Sequence, residues 1–133
     1  MAIDWGSRRI GIAVSDSGEI ATPHSVLRNE GDAVEKLAAL ARELGADTIV
    51  LGLPRRAASS TGEEKFRDLA EQLRQKTCKA VVLWDEALST VEAAERLREG
   101  GRRRRDAQRD IDMHAAAVIL QSYLDQRTAG RAS

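Results

Sequence analysis

The stretch MAIDWGSRRIGIAVSD, residues 1–16, decides how the rest of the chain can be arranged. A short apolar run, Met1 to Ile3, ends at Asp4. The chain then turns on Gly6 and Ser7, and Ile10, Ile12 and Val14 alternate with small residues on the way back. Apolar residues at every second position are the period of a strand with one face on a core, so the stretch predicts a β-hairpin. Glycine in Trp5-Gly6-Ser7-Arg8 marks a place where the backbone bends tightly or lets a ligand approach. Asp4 is therefore expected in mid-sheet beside an open backbone. A carboxylate there pays a desolvation penalty unless a cation offsets it. A turn-capping aspartate accounts for this stretch equally well, and the remaining chain has to separate the two readings. The run before Asp4 is short for a central strand, which points to a start further upstream.

Downstream, Ser17-Gly18 is a turn signal, and Glu19 to Leu27 reads as a strand that Pro23 confines to a sheet edge, because proline has no amide hydrogen to donate. From Asp32 to Leu44, the residues Val34, Leu37, Ala41 and Leu44 recur at helical spacing, with Gly45 as the stop. Thr48 to Leu53, TIVLGL, is a continuous apolar run of the kind buried on both faces in a parallel sheet. The polar segment Arg55 to Ser60 follows at its carboxyl end, where open α/β sheets place ligands. Thr61-Gly62-Glu63-Glu64 has the capping-box pattern ahead of Phe66, Leu69, Ala70 and Leu73, a second helix. Ala80 to Trp84 is another buried strand, leaving through Asp85-Glu86. Ser89-Thr90-Val91-Glu92 opens a third helix through Leu97, closed by Gly100-Gly101, and a final helix is expected over Asp112 to Leu124. Three antiparallel strands followed by alternating helices and strands predict an α/β fold: a five-stranded mixed sheet, the last two strands parallel, flanked by helices and with the first strand in the middle. Residues 1–126 are expected to form a single domain and 127–133 a flexible C-terminal tail.

Composition narrows the function. With 21 Lys plus Arg against 21 Asp plus Glu, no global field draws the chain to nucleic acid, and any such affinity has to come from a local cluster. One cysteine, Cys78, excludes an internal disulfide and a cysteine-built zinc cage, and reads as a small hydrophobe at a strand edge. No apolar run approaches the ~18 residues of a membrane span. A cytoplasmic protein without membrane contact is expected.

The local cluster lies at GRRRRDAQRDI. Arg102, Arg103, Arg104, Arg105 and Arg109 stand against Asp106 and Asp110, with two glycines before them and no apolar period, so Arg102 to Arg109 is expected to be a mobile loop. A solvated linker is the plain account of such a run. Arginines are also the residues best suited to bidentate phosphate contacts, and this run leads directly to the final helix. There Ala116, Ile119, Leu120 and Tyr123 form one stripe, and Asp112 falls on it at i to i+4 and i to i+7. An N-cap aspartate explains Asp112 cheaply. His114 falls off the stripe. Asp4, Glu86 and Asp112 thus stand singly as caps or turns, but together they point to an all-oxygen site for a hard cation such as Mg²⁺ or Mn²⁺, of the kind that cleaves phosphodiesters.

Four motifs in order, Ala2-Ile-Asp-Trp-Gly-Ser with Arg9-Ile-Gly-Ile-Ala, Val50-Leu-Gly-Leu-Pro, Asp85-Glu-Ala-Leu-Ser-Thr-Val-Glu-Ala, and Ile111-Asp with Ala115-Ala-Ala-Val-Ile-Leu-Gln-Ser-Tyr-Leu, resemble the bacterial Holliday junction resolvase-like family, also called pre-16S rRNA nuclease. The resemblance runs from residue 2 to about 125. It implies the RNase H-like fold, metal-dependent processing of the 5′ end of precursor 16S rRNA or resolution of branched DNA, and a catalytic, metal-binding triad at Asp4, Glu86 and Asp112. The implied partners are nucleic acid and a ribosome precursor, with the protein a monomer or weak homodimer. Nucleic-acid contacts are expected from Arg8, Arg9, Arg55, Arg56, Arg102, Arg103, Arg104 and Arg105. Two departures stand out: Ala87 replaces the family's usual Arg, and Arg55 to Ser60 replaces its usual Asn or Asp-Gly turn. The Asp-Trp-Gly-Ser run also resembles the phosphate loop of sugar and acetate kinases, which need a second domain that 133 residues do not accommodate. A nucleic-acid-binding module without catalysis is the remaining alternative.

Overall fold

The computed structural model describes residues 1–53, 60–85 and 107–132. Arg55, Arg56, Glu86, Ala87, the helix expected from Ser89 to Leu97 and Arg102 to Arg105 lie outside them. Strands β1 (Ala2–Trp5), β2 (Arg9–Val14) and β3 (Thr22–Arg28) come first. Helix α1 (Ala33–Glu43), strand β4 (Thr48–Leu53), helix α2 (Ser60–Thr77), strand β5 (Ala80–Asp85) and helix α3 (Ala107–Ala132) follow. The sheet has five strands in the order β3-β2-β1-β4-β5. β1 pairs antiparallel with β2 and β2 with β3, whereas β1–β4 and β4–β5 are parallel. The expected mixed sheet is therefore present, with β1 central and β3 at an edge.

Period-two alternation divides the sheet between two cores. Ile3, Ile10, Ile12, Ile49 and Leu51 point to the face covered by α1 and α2, where Leu37, Ala41, Phe66 and Leu73 complete one cluster. Ala2, Ala13 and Val50 point to the other face, against Ala116, Ala117, Ile119 and Leu120 of α3. The residues under α3 are small, so that helix lies close to the sheet. A Cβ added at Gly52 would stand 2.6 Å from Cδ1 of Ile119. Trp84 closes this layer by stacking edge-on against Tyr123 at 5.3 Å and donating from Nε1 to Ser122 Oγ at 3.2 Å.

Three boundaries differ from expectation, each for a physical reason. β3 starts at Thr22 rather than Glu19, because backbone groups of 19–21 bond to Ser17 and to α3 instead of to a strand: the Glu19 and Ile20 amides donate to Ser17 Oγ. Gln121, fully buried, accepts from the Ala21 amide at 2.9 Å and donates to the Glu19 carbonyl at 2.8 Å. α3 begins at Ala107, so the last three residues of the Arg102 to Arg109 segment are helical rather than loop, and it continues to Ala132 through residues read as a tail. Cys78 is exposed in the turn after α2 rather than packed at a strand edge. Its φ of 58° puts a side chain in the left-handed region that glycine normally fills. By contrast, Gly45 ends α1 as expected: its φ is 66°, and the amides of Ala46 and Gly45 bond to the carbonyls of Ala41 and Arg42, the paired pattern of a Schellman stop.

Two predictions test these devices. Cys78→Gly relieves the left-handed strain and is expected to stabilise the protein by about 0.5–1 kcal/mol, read as a higher urea midpoint with unchanged slope. Gln121→Leu keeps volume but leaves the buried Ala21 amide without its acceptor, and is expected to cost about 1–3 kcal/mol in the same experiment.

Candidate active site

Asp4 is the third residue of the central strand and pairs directly with Gly11 of β2. Opposed residues in an antiparallel pair project on one face, here the face under α3. Gly11 has no side chain to keep that helix away: a Cβ built on it would lie 2.1 Å from the Asp112 carbonyl oxygen and 2.7 Å from its carbonyl carbon. The helix backbone at Asp112 therefore rests on the sheet at the position facing Asp4. This contact sets the helix backbone at Asp112 beside the strand position paired with Asp4, 108 positions away in sequence, the difference between 112 and 4. Asp4 and Asp112 are both half-buried.

Asp112 sits within α3, more than a turn past Ala107, so it does not cap the helix. Its Oδ2 accepts from Nε of Arg9 at 2.8 Å. Arg9 reaches it because residues 9 and 11 project on the same face of β2. The two side chains are 44% and 20% exposed, so water reaches the pair and its net contribution is small. Arg28 is the cross-strand partner of Arg9, which sets two guanidinium-bearing residues directly opposite each other. Arg8 lies in the β1–β2 turn. That turn is tight at Gly6, whose amide donates to the Arg9 carbonyl at 3.0 Å, and Asn29 ties it to the end of β3 by donating from Nδ2 to the Gly6 carbonyl at 2.7 Å.

The parallel strands β1, β4 and β5 all end at this edge of the sheet, the location at which open α/β sheets bind ligands. β5 ends at Asp85, the residue before Glu86 in the chain. Of the residues expected to form the site, Asp4, Asp112, Arg8 and Arg9 are gathered here, and Glu86, Arg55, Arg56 and Arg102 to Arg105 lie outside the described residues. Among the described residues no group of three acidic, histidine or cysteine side chains is placed to hold a metal ion. The two carboxylates nevertheless fit a hard cation. Their donors are all oxygen, and Asp112 already accepts from a cationic group, the Arg9 guanidinium. A cavity of about 450 Å³ at the far end of the sheet, lined by Asp16, Asp47, Tyr123 and Arg127 among others, contains neither of them.

Sequence reasoning did not single out Gly11 or Arg28. Gly11 had a signal, a glycine inside an alternating strand, which marks close backbone approach. Arg28 had none, since its position opposite Arg9 depends on an irregularity in the β2–β3 register near Pro23.

Fold and site together define an α/β domain of the RNase H-like kind, with an acidic pair at the carboxyl ends of its parallel strands. The chain belongs to the RuvX family, described as Holliday junction resolvase, which it matches over residues 1–126. It is 45% identical over 135 residues to a Mycolicibacterium paratuberculosis protein named "Putative pre-16S rRNA nuclease", covering 97% of this chain and 81% of that one. A protein of the same name from Mycobacterium sp. (strain KMS) is 43% identical over 140 residues, covering 100% and 83%. The Mycobacterium tuberculosis protein of that name is 42% identical over 138 residues, covering 99% and 81%. No helix among the described residues is long and apolar enough to cross a membrane.

Gly11→Ala tests the contact on which the site depends. The added methyl would have to push α3 off the sheet at Asp112. The variant is expected to lose about 1–3 kcal/mol of stability in thermal or urea unfolding, and more than Gly52→Ala, whose clash is with the mobile end of Ile119.

Proposed function

We propose that the protein is a divalent-metal-dependent endonuclease acting on the 5′ end of precursor 16S rRNA in the cytoplasm. The observation that carries this reading is that Gly11, the cross-strand partner of Asp4, is also the place where the α3 backbone at Asp112 rests on the sheet, at its ligand-binding edge. Asp4 and Asp112, with Glu86 from the segment that follows β5, would hold Mg²⁺ or Mn²⁺. Bound there, the metal would supply an activated water and charge stabilisation for the leaving oxygen. The chain's own groups do the rest. The half-buried carboxylates hold negative charge where the backbone would be cut, and the Arg8 and Arg9 edge balances it so that a phosphodiester can approach. Arg55, Arg56 and Arg102 to Arg105 would extend the contact along the strand as phosphate-neutralising charges. The names of the relatives support precursor rRNA as the substrate.

The family description favours a second reading, cleavage of branched DNA. Symmetric resolution of a junction needs two active sites and hence a dimer.

A cleavage assay with Mg²⁺ or Mn²⁺, a labelled 16S leader RNA and a four-way DNA junction separates the readings. RNA cutting is expected, falling at least about 1,000-fold in Asp4→Asn and in Asp112→Asn while RNA binding is retained. Paired cutting of the junction alone would move the function to recombination. Cleavage undiminished in Asp4→Asn would overturn the site, and binding without cleavage of either substrate would leave a binding module.

A further inference from the structure

Between the β1–β2 turn and the end of the edge strand β3 lies a cavity of about 550 Å³ whose polar lining comes from Ser7, Arg8, Arg9, Arg28, Asn29 and Glu30. Its size falls within the roughly 300–1,000 Å³ of ligand clefts. Three exposed arginines line it with one carboxylate, so positive charge remains in excess there even with Arg9 paired to Asp112. Neither Arg8 nor Arg28 makes an ion pair with a described residue. The strand ladder makes the crowding of charge specific. Arg9 and Arg28 are cross-strand partners. The Asn29 amide donates to the Arg8 carbonyl at 2.8 Å, which makes 8 and 29 a hydrogen-bonded pair and, by the alternation of the ladder, 9 and 28 a non-hydrogen-bonded one, whose side chains stand closer. Like charges placed so oppose folding, and a bound anion removes the penalty. The groove is also held in shape. Asn29 donates from Nδ2 to the Gly6 carbonyl at 2.7 Å as well, so one residue fixes the β1–β2 turn, with Arg8 in it, against the end of β3.

We propose that this groove is a phosphate-binding subsite for the RNA strand, with Arg28 and Arg8 as its binding groups and Asn29 as the positioning residue, so that the bound strand leaves the site over the β2–β3 edge of the sheet. The inference rests on the nucleic-acid substrate proposed above, and on neither a metal nor any change at Asp112: Arg9 keeps its bond to that carboxylate. Guanidinium forks match phosphate oxygens bidentately, which suits Arg28 and Arg8 to a backbone phosphate. A groove whose turn and strand end are already tied together loses little freedom when it binds. Contacts of this kind set the position and direction of the strand and carry no sequence information. Glu30, the one carboxylate in the lining, opposes the phosphate and limits the affinity.

Equilibrium binding of labelled 16S leader RNA to the full chain in EDTA, across a range of salt, tests it without turnover. Arg28→Gln is expected to bind about five- to tenfold more weakly and to lower the slope of log affinity against log salt by about one, the loss of one phosphate contact. Arg28→Lys keeps the charge and is expected to keep the slope. Glu30→Gln is expected to bind about two- to threefold more tightly, since the groove loses its repulsive charge. Arg67→Gln removes one exposed charge from α2, on the other face of the sheet, and is expected to leave the slope at its native value. Because Arg28 opposes Arg9, Arg28→Gln is also expected to unfold at a urea concentration no lower than the native protein. An unmoved slope in Arg28→Gln, or an equal fall in Arg67→Gln, overturns the subsite, and a lower urea midpoint in Arg28→Gln overturns the like-charge argument for it. Native protein that binds no leader RNA overturns the nucleic-acid reading itself, which separates that failure from one in which the native protein binds and Arg28 takes no part.

Discussion

The arrangement depends on a contact between two pieces of backbone. Gly11 gives α3 a place to rest with its Asp112 carbonyl against the sheet, where even a methyl group would stand only 2.1 Å away. The surrounding floor is graded to match. Ala2 and Ala13 flank the site on β1 and β2, and Gly52 on β4 admits Ile119. Small residues under a helix give up hydrophobic area, which the opposite face recovers with Ile3, Ile10, Ile12, Ile49 and Leu51. The sheet is thus asymmetric: one face is built for burial, the other for proximity. Proximity is what sets the helix backbone at Asp112 beside the strand position paired with Asp4.

The electrostatics at Asp112 follow from partial exposure. Two carboxylates in a closed core would lose hydration at a cost that two carboxylates alone do not recover. At the edge of the sheet Asp112 is partly exposed to water and accepts from Arg9. A chain with equal numbers of acidic and basic residues has no long-range pull on a polyanion, so its affinity has to be local. Arg8, Arg9 and Arg28 supply such a locality beside the carboxylates, and strand pairing, rather than sequence proximity, groups Arg28 with the other two.

The fixing of α3 is not left to hydrophobic contact alone. Gln121 bonds to the backbone on both sides of Ile20, Trp84 donates to Ser122, and Tyr123 lies between Trp84 and the Arg127 guanidinium, which sits 5.8 Å from its ring centre. Polar ties of this kind have directional requirements that apolar packing lacks, and they set the rotation of the helix about its axis. Asp112 points where it does because residues three turns further along are held in this way.

Strand periods and turn chemistry were legible in the sequence because they are local. Alternation at Ile10, Ile12 and Val14 announced β2, the apolar run TIVLGL announced a buried parallel strand, and Gly45 ended α1 where expected. The order of these elements was enough to put β1 in the middle of a mixed sheet and Asp4 on it. The start of α3 was not legible, since arginine-rich residues without an apolar stripe carry no helical signal until the helix has a sheet to lie on. Nor was the shortened β3, before which the Ala21 amide and the Glu19 carbonyl bond to a glutamine 100 positions from Ala21. The sequence by itself determined the type and order of the described strands and helices and put Asp4 on the central strand, because propensity, period and turn chemistry act over a few residues. Only the tertiary structure decided that Asp112 belongs to a helix interior, rests by its backbone on Gly11 and pairs with Arg9. Those facts depend on how closely two backbones approach at Gly11, a distance set by packing between segments about a hundred residues apart.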